Sequence, residues 1–303
     1  MEILDARETG ARLPYPELAD SIREAMDGRR EGKLDAPSRL VLPLPEGGNL
    51  LVMPAADDEL AITKLVTVHP GNARRELPTI QGEVVVMEAG TGTRLGILDG
   101  AAVTAKRTAA LSLLAAHTLA RCPDGPLLVV GAGTQARSHL EAFHEGLGVS
   151  KVLLTSRTTE RADSLAEHAR SLGMDARVVD GPQEALDEVS LIVTATTSHE
   201  PVLPEEIPDN IFIAAVGAFD PEMAELAPRL VGSSSVVVDT IEGVREEAGD
   251  LIQAQRAGAF DWEDATQIED ALLWRGSPEG PIVFKSVGHA LWDLAAARTA
   301  FGS

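Results

Sequence analysis

The chain is short of basic residues, aromatics and cysteine. Against 47 acidic side chains stand 26 lysines and arginines, for a formal net charge of −21. That balance repels phosphate backbones and argues against nucleic acid as a partner, and any anionic ligand needs a locally basic pocket. Aromatic residues make up only 3% of the sequence, so little of the core is built from rings. The single cysteine, Cys122, excludes an intramolecular disulfide, has no partner motif for a nucleophile, and fits a reducing cytoplasm. No apolar run reaches the roughly 18 residues of a membrane span. The acidic start "MEILDARETG" has neither the basic nor the apolar region of a secretory signal. The seven histidines show no His-x-x-x-His pair and no acidic cluster at ligand spacing, so no metal is expected.

What is present divides by pattern. "YPELADSIREAMDGRREG" carries apolar residues at helical spacing. Residues 36–100 read as strands, in "SRLVLPLP", "NLLVMPA", "LAITKLVTVHP" and "EVVVMEAGTGTRLGILDG", with turn signals between them. Residues 101–121 form a long Ala/Leu-rich helix. From residue 125 short apolar runs alternate with helical segments: "PLLVV", "KVLLTS", "ARVVD", "LIVTAT", "IFIAAVG" and "SSVVVD". Strands alternating with helices predict a parallel sheet with crossover helices. A last helix is expected over "SVGHALWDLAAARTAF", opened by Ser286 and Gly288.

The stretch "PLLVVGAGTQARSHL" fits a dinucleotide-binding turn, because Gly131, Gly133 and Ala136 follow a strand and open a helix. The first glycine permits the turn, the second lets backbone approach a pyrophosphate, and the small third residue lets helix and strand pack closely. Thr134 and Gln135 fall in the same turn, at a helix N-terminus that favours phosphate. An NAD site usually has Asp or Glu at the end of the next strand, about 20 residues on. Here Ser156, Arg157 and Thr158 stand there instead, and an arginine fork welcomes the 2′-phosphate of NADP. The expected cofactor is NADPH, with NADH as the alternative.

Three cations lie inside apolar patterns of the first third: Arg39 in "APSRLVL", Lys64 in "LAITKLVTV" and Arg107 in "TAKRTAALS". Isolated cations in apolar elements need partners. Either they form three structural salt bridges or they serve a ligand.

The order of motifs resembles that of the ornithine cyclodeaminase/mu-crystallin family nearly end to end. The resemblance rests on "SRL" with Arg39, "MPA" at Met53–Ala55, and "TKLVTVHPGN" with Lys64 and Asn72. It continues through "GILDG" with Asp99, "TAKRTAALS" with Arg107 and Thr108, "VVGAGTQA", "VGAFDPEMAEL", "EEAGDL" and "KSVGHALWDLA". It implies that Arg39, Lys64 and Arg107 hold a substrate carboxylate against the nicotinamide, as a cage of like charges when empty. Met53 and Phe219 would complete the substrate pocket. Thr108, Thr196, Val216 and Ser286 would join the cofactor contacts, and His289 is a candidate for the nicotinamide side, whereas His69 reads as a turn residue. The implied fold is α/β, a Rossmann-type parallel-sheet domain over 118–285 inserted into an α+β dimerisation and substrate domain over 1–117 and 286–303. The implied assembly is a homodimer.

Departures from the family pattern narrow the activity. Cyclodeaminases carry a catalytic aspartate after the late glycines, where this chain has Phe219, with Asp220 displaced by one. They carry a glutamate where this chain has Leu51. Loss of two carboxylates disfavours oxidation and deamination of ornithine. The expectation is NADPH-dependent reduction of a small cyclic imine carboxylate: Δ1-pyrroline-2-carboxylate to L-proline, with Δ1-piperideine-2-carboxylate to L-pipecolate as a second reaction. The alternatives are ornithine cyclodeaminase or alanine-type dehydrogenase activity, and a non-catalytic NADPH-dependent small-molecule binder like mu-crystallin.

Overall fold

A computed structural model describes residues 1–276 and 278–302. The chain forms two compact units, Met1–Leu111 with His289 onward, and Ser112–Gly288. The boundaries fall inside one long helix and just ahead of the last one; the sequence places them at 117/118 and 285/286.

The first unit opens with β1 (Glu2–Ile3), α1 (Ala6–Ala11) and α2 (Tyr15–Arg30). Asp5 starts α1 with a capping box: its side chain accepts from Glu8 N while the Glu8 carboxylate accepts from Asp5 N. The sequence pattern does not register β1 or α1, which are too short for a periodicity. In α2 the buried Leu18, Ile22 and Met26 recur every four residues and form one apolar face. Five longer strands follow: β2 (Leu40–Leu44), β3 (Gly48–Ala56), β4 (Leu60–Val68), β5 (Ile80–Glu88) and β6 (Arg94–Asp99). They pair antiparallel in the order β6-β5-β4-β3-β2, and β1 adds to β6 in parallel. Along β4, Leu60, Ile62, Lys64 and Val66 are buried, so the lysine occupies a core position of the alternation. Met53 stands directly opposite it on β3 and Val84 opposite it on β5. Then comes α3 (Gly100–Leu119), whose first turn is capped by Asp99 accepting from Ala102 N at 2.7 Å.

The second unit is an eight-stranded parallel sheet. In chain order it contains β7 (Leu127–Val130), α4 (Thr134–Leu147), β8 (Lys151–Thr155), α5 (Thr159–Ser171), β9 (Asp175–Val178), β10 (Leu191–Thr194) and β11 (Phe212–Ala215). It continues with α6 (Pro228–Gly232), β12 (Ser235–Val238), α7 (Ile241–Glu247), α8 (Gly249–Arg256), β13 (Thr266–Gln267), α9 (Ile268–Ala271) and β14 (Ile282–Lys285). The spatial order is β9-β8-β7-β10-β11-β14-β12-β13. Its first five strands follow the 3-2-1-4-5 order of a dinucleotide-binding sheet. Residues of β7, β10, β11, β12 and β14 are buried on both faces, which explains their unbroken apolar runs. The six runs expected as strands coincide with β7 to β12. The sequence pattern misses β14, which sits between β11 and β12.

The chain returns to the first unit as α10 (Ala290–Phe301), which packs on α2, β3 and β4. Its start corrects an expectation. Ser286 and Gly288 precede the helix, and His289 caps it, its ring accepting from Leu291 N at 3.3 Å.

Candidate active site

In the second unit, the turn after β7 builds a cavity of about 520 Å³ at the carboxyl ends of the strands, where open α/β sheets bind ligands. Gly131, Gly133, Ser156, Arg157, Thr158 and Thr196 line it together. Gly131 has φ 117°, and a Cβ there would stand 2.5 Å from the Ala195 carbonyl oxygen, so only glycine fits. Gly133 caps α4, and a Cβ there would meet nothing within 4 Å, which leaves space over the helix N-terminus for a phosphate group. Ala136 is fully buried between helix and sheet. These features fit a dinucleotide. Thr134 and Gln135 lie in the first turn of α4. Ser156 shapes the loop after β8, donating to Thr158 O at 2.8 Å and accepting from Thr158 N at 3.2 Å. Arg157 is exposed and free to fork onto an anion. Arg161, on the first turn of α5, lines the same cavity and is absent from the sequence-derived set.

Behind the cavity the strand-end loops are tied by buried carboxylates. Glu225 accepts from Thr196 N at 2.7 Å, Gly217 N at 2.7 Å and Thr194 Oγ1 at 3.0 Å. Burial, the largest influence, raises its pKa above the ordinary carboxylate value, opposed by the nearby Lys285 ammonium. Asp250 accepts from the backbone of Glu225 at 2.6 Å and of Leu226 at 2.9 Å, and from Lys285 Nζ at 2.7 Å. Asp239 gathers Ser286 Oγ at 2.8 Å, Val287 N at 3.0 Å and Gly288 N at 2.7 Å. The Ser286 hydroxyl is therefore already engaged. Val216 is buried, its N–H donating to Thr194 O.

In the first unit, Lys64 and Arg107 are 3% and 5% exposed. Thr104, Arg107 and Thr108 share one face of α3 at three- and four-residue spacing. Lys64 donates to Thr104 Oγ1 at 2.5 Å and to Asp293 Oδ1 at 3.1 Å. Arg107 Nε lies 3.4 Å from the same Asp293 oxygen. Burial lowers the Lys64 pKa to about 8; the Arg107 and Arg39 charges push the same way and Asp293 opposes them. The empty cage of like charges is thus corrected: a fully buried aspartate on α10 stands within it. Met53, beside Lys64 in the sheet, is buried, and Leu51 lies on the same face two residues away. Thr108 and Met53 belong to this unit, and Phe219 to the other.

The model of the ornithine cyclodeaminase/mu-crystallin family matches residues 2–302. The chain belongs to this family. It is 40% identical over 300 residues to Δ1-pyrroline-2-carboxylate reductase 1 of Burkholderia multivorans, covering 98% of this chain and 94% of that one. Among solved structures it is similar to Δ1-pyrroline-2-carboxylate reductase of Thermococcus litoralis in complex with NADH and L-proline, with TM-score 0.91, 29% identity, and coverage of 99% and 96%. It is also similar to an archaeal alanine dehydrogenase dimer with bound NAD, with TM-score 0.90, 28% identity, and coverage of 99% and 94%.

Other candidates have defined local surroundings. Phe219 is 47% exposed, and the Asp220 carboxylate next to it accepts from Glu222 N at 3.0 Å, closing a local turn. Asn72 donates to Pro78 O at 2.9 Å and ties its own loop. His69 packs its ring on Gly48, where a Cβ would come within 2.3 Å of it. Cys122 is exposed. Among the described residues no group of three His, Cys, Asp or Glu side chains could hold a metal, and no helix is long and apolar enough to cross a membrane.

Proposed function

We propose that this protein reduces a small cyclic imine carboxylate with NADPH, converting Δ1-pyrroline-2-carboxylate to L-proline and Δ1-piperideine-2-carboxylate to L-pipecolate. The observation that carries the reading is the buried pairing of Lys64 with Arg107, in which two cations share a single carboxylate oxygen. A buried set with surplus positive charge suits an anionic ligand. The Burkholderia relative and the Thermococcus structure, with its NADH and L-proline, support the same substrate class.

Arg107 and Arg39 grip the substrate carboxylate through charge-assisted hydrogen bonds. Lys64, with two N–H groups committed to Thr104 and Asp293, offers its third to the ring nitrogen and gives up a proton there as the C=N bond is reduced. A pKa near 8 keeps it protonated at neutral pH yet able to release. When bound, the reduced nicotinamide supplies the hydride to C2. Met53 and Leu51, on the same face of β3 as Lys64 on β4, form an apolar wall beside the ring. The first unit serves as substrate and dimerisation domain, the second as cofactor domain.

The test supplies each cyclic imine with NADPH and follows A340 together with L-proline or L-pipecolate. The same preparation given ornithine and NAD should release no ammonia, because Leu51 and Phe219 replace the carboxylates that reaction uses. Robust ammonia release without net cofactor turnover would move the assignment to cyclodeaminase.

Cofactor choice rests on Arg157, aided by Arg161. Arg157→Ala is expected to cost about 1.5–3 kcal/mol of the NADPH-over-NADH preference in kcat/KM, the range for a hydrogen bond to a charged group. A wild-type enzyme indifferent to the 2′-phosphate would remove both arginines from this role.

A homodimer is part of the same proposal. Leu40 and Leu42 are 59% and 51% exposed and lie with Leu65, 39% exposed, on the sheet face turned away from Lys64. An apolar sheet face of this kind suits a second copy of the chain. Sedimentation equilibrium distinguishes one copy from two.

A further inference from the structure

Asp293 has no part in the sequence-derived site. It lies on α10 between Trp292 and Leu294, and all three side chains are buried. An aspartate fully buried on an otherwise apolar helix face requires a partner and a reason. Its partners come from two other elements: Lys64 on β4 and Arg107 on α3 both approach Oδ1, at 3.1 and 3.4 Å. Oδ2, equally buried, has no hydrogen-bond partner among the described residues, and neither has Arg107 Nε. An arginine and a carboxylate paired only with each other frequently meet through both oxygens. Here one oxygen faces two cations. The contact uses Nε of Arg107 and leaves the terminal amino groups, the pair that grips a carboxylate two-pronged.

We propose that Asp293 is a positioning residue for the reaction: one carboxylate oxygen aims Lys64 and Arg107 together, leaving the third N–H of Lys64 and the terminal fork of Arg107 to the substrate. The inference rests on the imine-reductase reading above. It has a consequence for pH. The charged groups that face Lys64 are Asp293 on α10, Arg107 on α3 and Arg39 ahead of β2; Thr104, Met53 and Val84 beside it are uncharged. Asp293 is the one negative charge in that set. Without it, burial and two arginines act on the ammonium unopposed, and Lys64 gives up its proton at lower pH. Reduction requires the ammonium form, so activity falls as pH rises through that pKa.

The experiment measures kcat/KM for Δ1-pyrroline-2-carboxylate from pH 5.5 to 10 at saturating NADPH, for wild type, Asp293→Asn and Asp293→Glu. Wild-type activity should decline above about pH 8. In Asp293→Asn the rate should fall at every pH and the decline should begin about 1–2 pH units lower. Asp293→Glu keeps the charge on a longer arm, so its decline should stay at the wild-type pH while the rate drops throughout. A uniform loss in Asp293→Asn with an unmoved decline would mean a structural role only and overturn the proposal. Should Asp293→Asn fail to fold, Asp293→Glu decides: a lowered kcat with wild-type melting temperature and NADPH affinity supports the proposal, and a full wild-type rate, or a loss that only tracks lost folded protein, overturns it. A wild type that turns over no cyclic imine at any pH defeats the reductase reading itself, a result separate from the variant comparison.

Discussion

Arg107→Ala is expected to lower kcat/KM for the cyclic imine by roughly 30- to several-thousand-fold, equivalent to about 2–5 kcal/mol of transition-state stabilisation. The effect is large because the guanidinium is 5% exposed and bulk water cannot replace it around the substrate carboxylate. Stability should respond in the opposite sense to activity. Removing Arg107 leaves Lys64 and Asp293 as a balanced pair at 3.1 Å, with less surplus positive charge in the interior. The melting temperature should therefore hold or rise, and NADPH binding, proposed for the glycine-turn cavity of the other unit, should persist. If Arg107 were there only to satisfy Asp293, its loss would lower the melting temperature while activity per folded molecule stayed near normal. Thermal unfolding and active-site-normalised kinetics on one preparation separate the two outcomes.

The second large effect concerns acid. His139 on α4 is fully buried; its Nε2 lies 2.9 Å from Ser112 Oγ and its Nδ1 2.8 Å from Gln135 O. Burial lowers its pKa from 6.5 to about 4, and the bond to Gln135 O only partly opposes this. Between these two values the unfolded chain binds a proton at His139 that the folded chain refuses. Stability therefore falls as pH drops from about 6.5 to about 4, and by linkage the loss is about 3 kcal/mol. His139→Gln removes the titration. The variant should be less stable than wild type at pH 7.5, and the gap should shrink or reverse by pH 4.5, as read from urea unfolding. A gap that does not change with pH would show that His139 titrates normally in the folded protein.

Legibility of the site followed the contrast between a residue and its setting. Lys64 stood out because a lysine took an inward position in an alternating strand, and Arg107 because it interrupted an apolar helix. The glycine turn was legible because its strand and helix were both present in pattern. Asp293 was not. In "HALWDLAAA" an aspartate near a helix start reads as a favourable first-turn charge, and only tertiary packing turns it inward. Glu225, Asp239 and Asp250 were hidden for a related reason: in a chain with 47 acidic residues, nothing local marks the few that are buried. The strand β14 was lost because four residues after a Gly- and Pro-containing loop are too short to show a period. Its place in mid-sheet depends on neighbours β11 and β12, both distant in sequence.

The return of α10 to the first unit also sets an order of assembly. Residues 112–288 are one uninterrupted segment, whereas the first unit is made from both ends of the chain. During synthesis the dinucleotide sheet, β14 included, is complete before Asp293 exists. Until then the inner face of β3 and β4, which α10 packs on, lacks that cover, and Lys64 lacks its counter-charge. Lys64 and Arg107 thus acquire their buried partner only after a loop of more than two hundred residues closes, the separation from Lys64 to Asp293 being 229 positions. Closing so long a loop belongs among the late steps of folding, because its entropy must be lost before the contact returns anything.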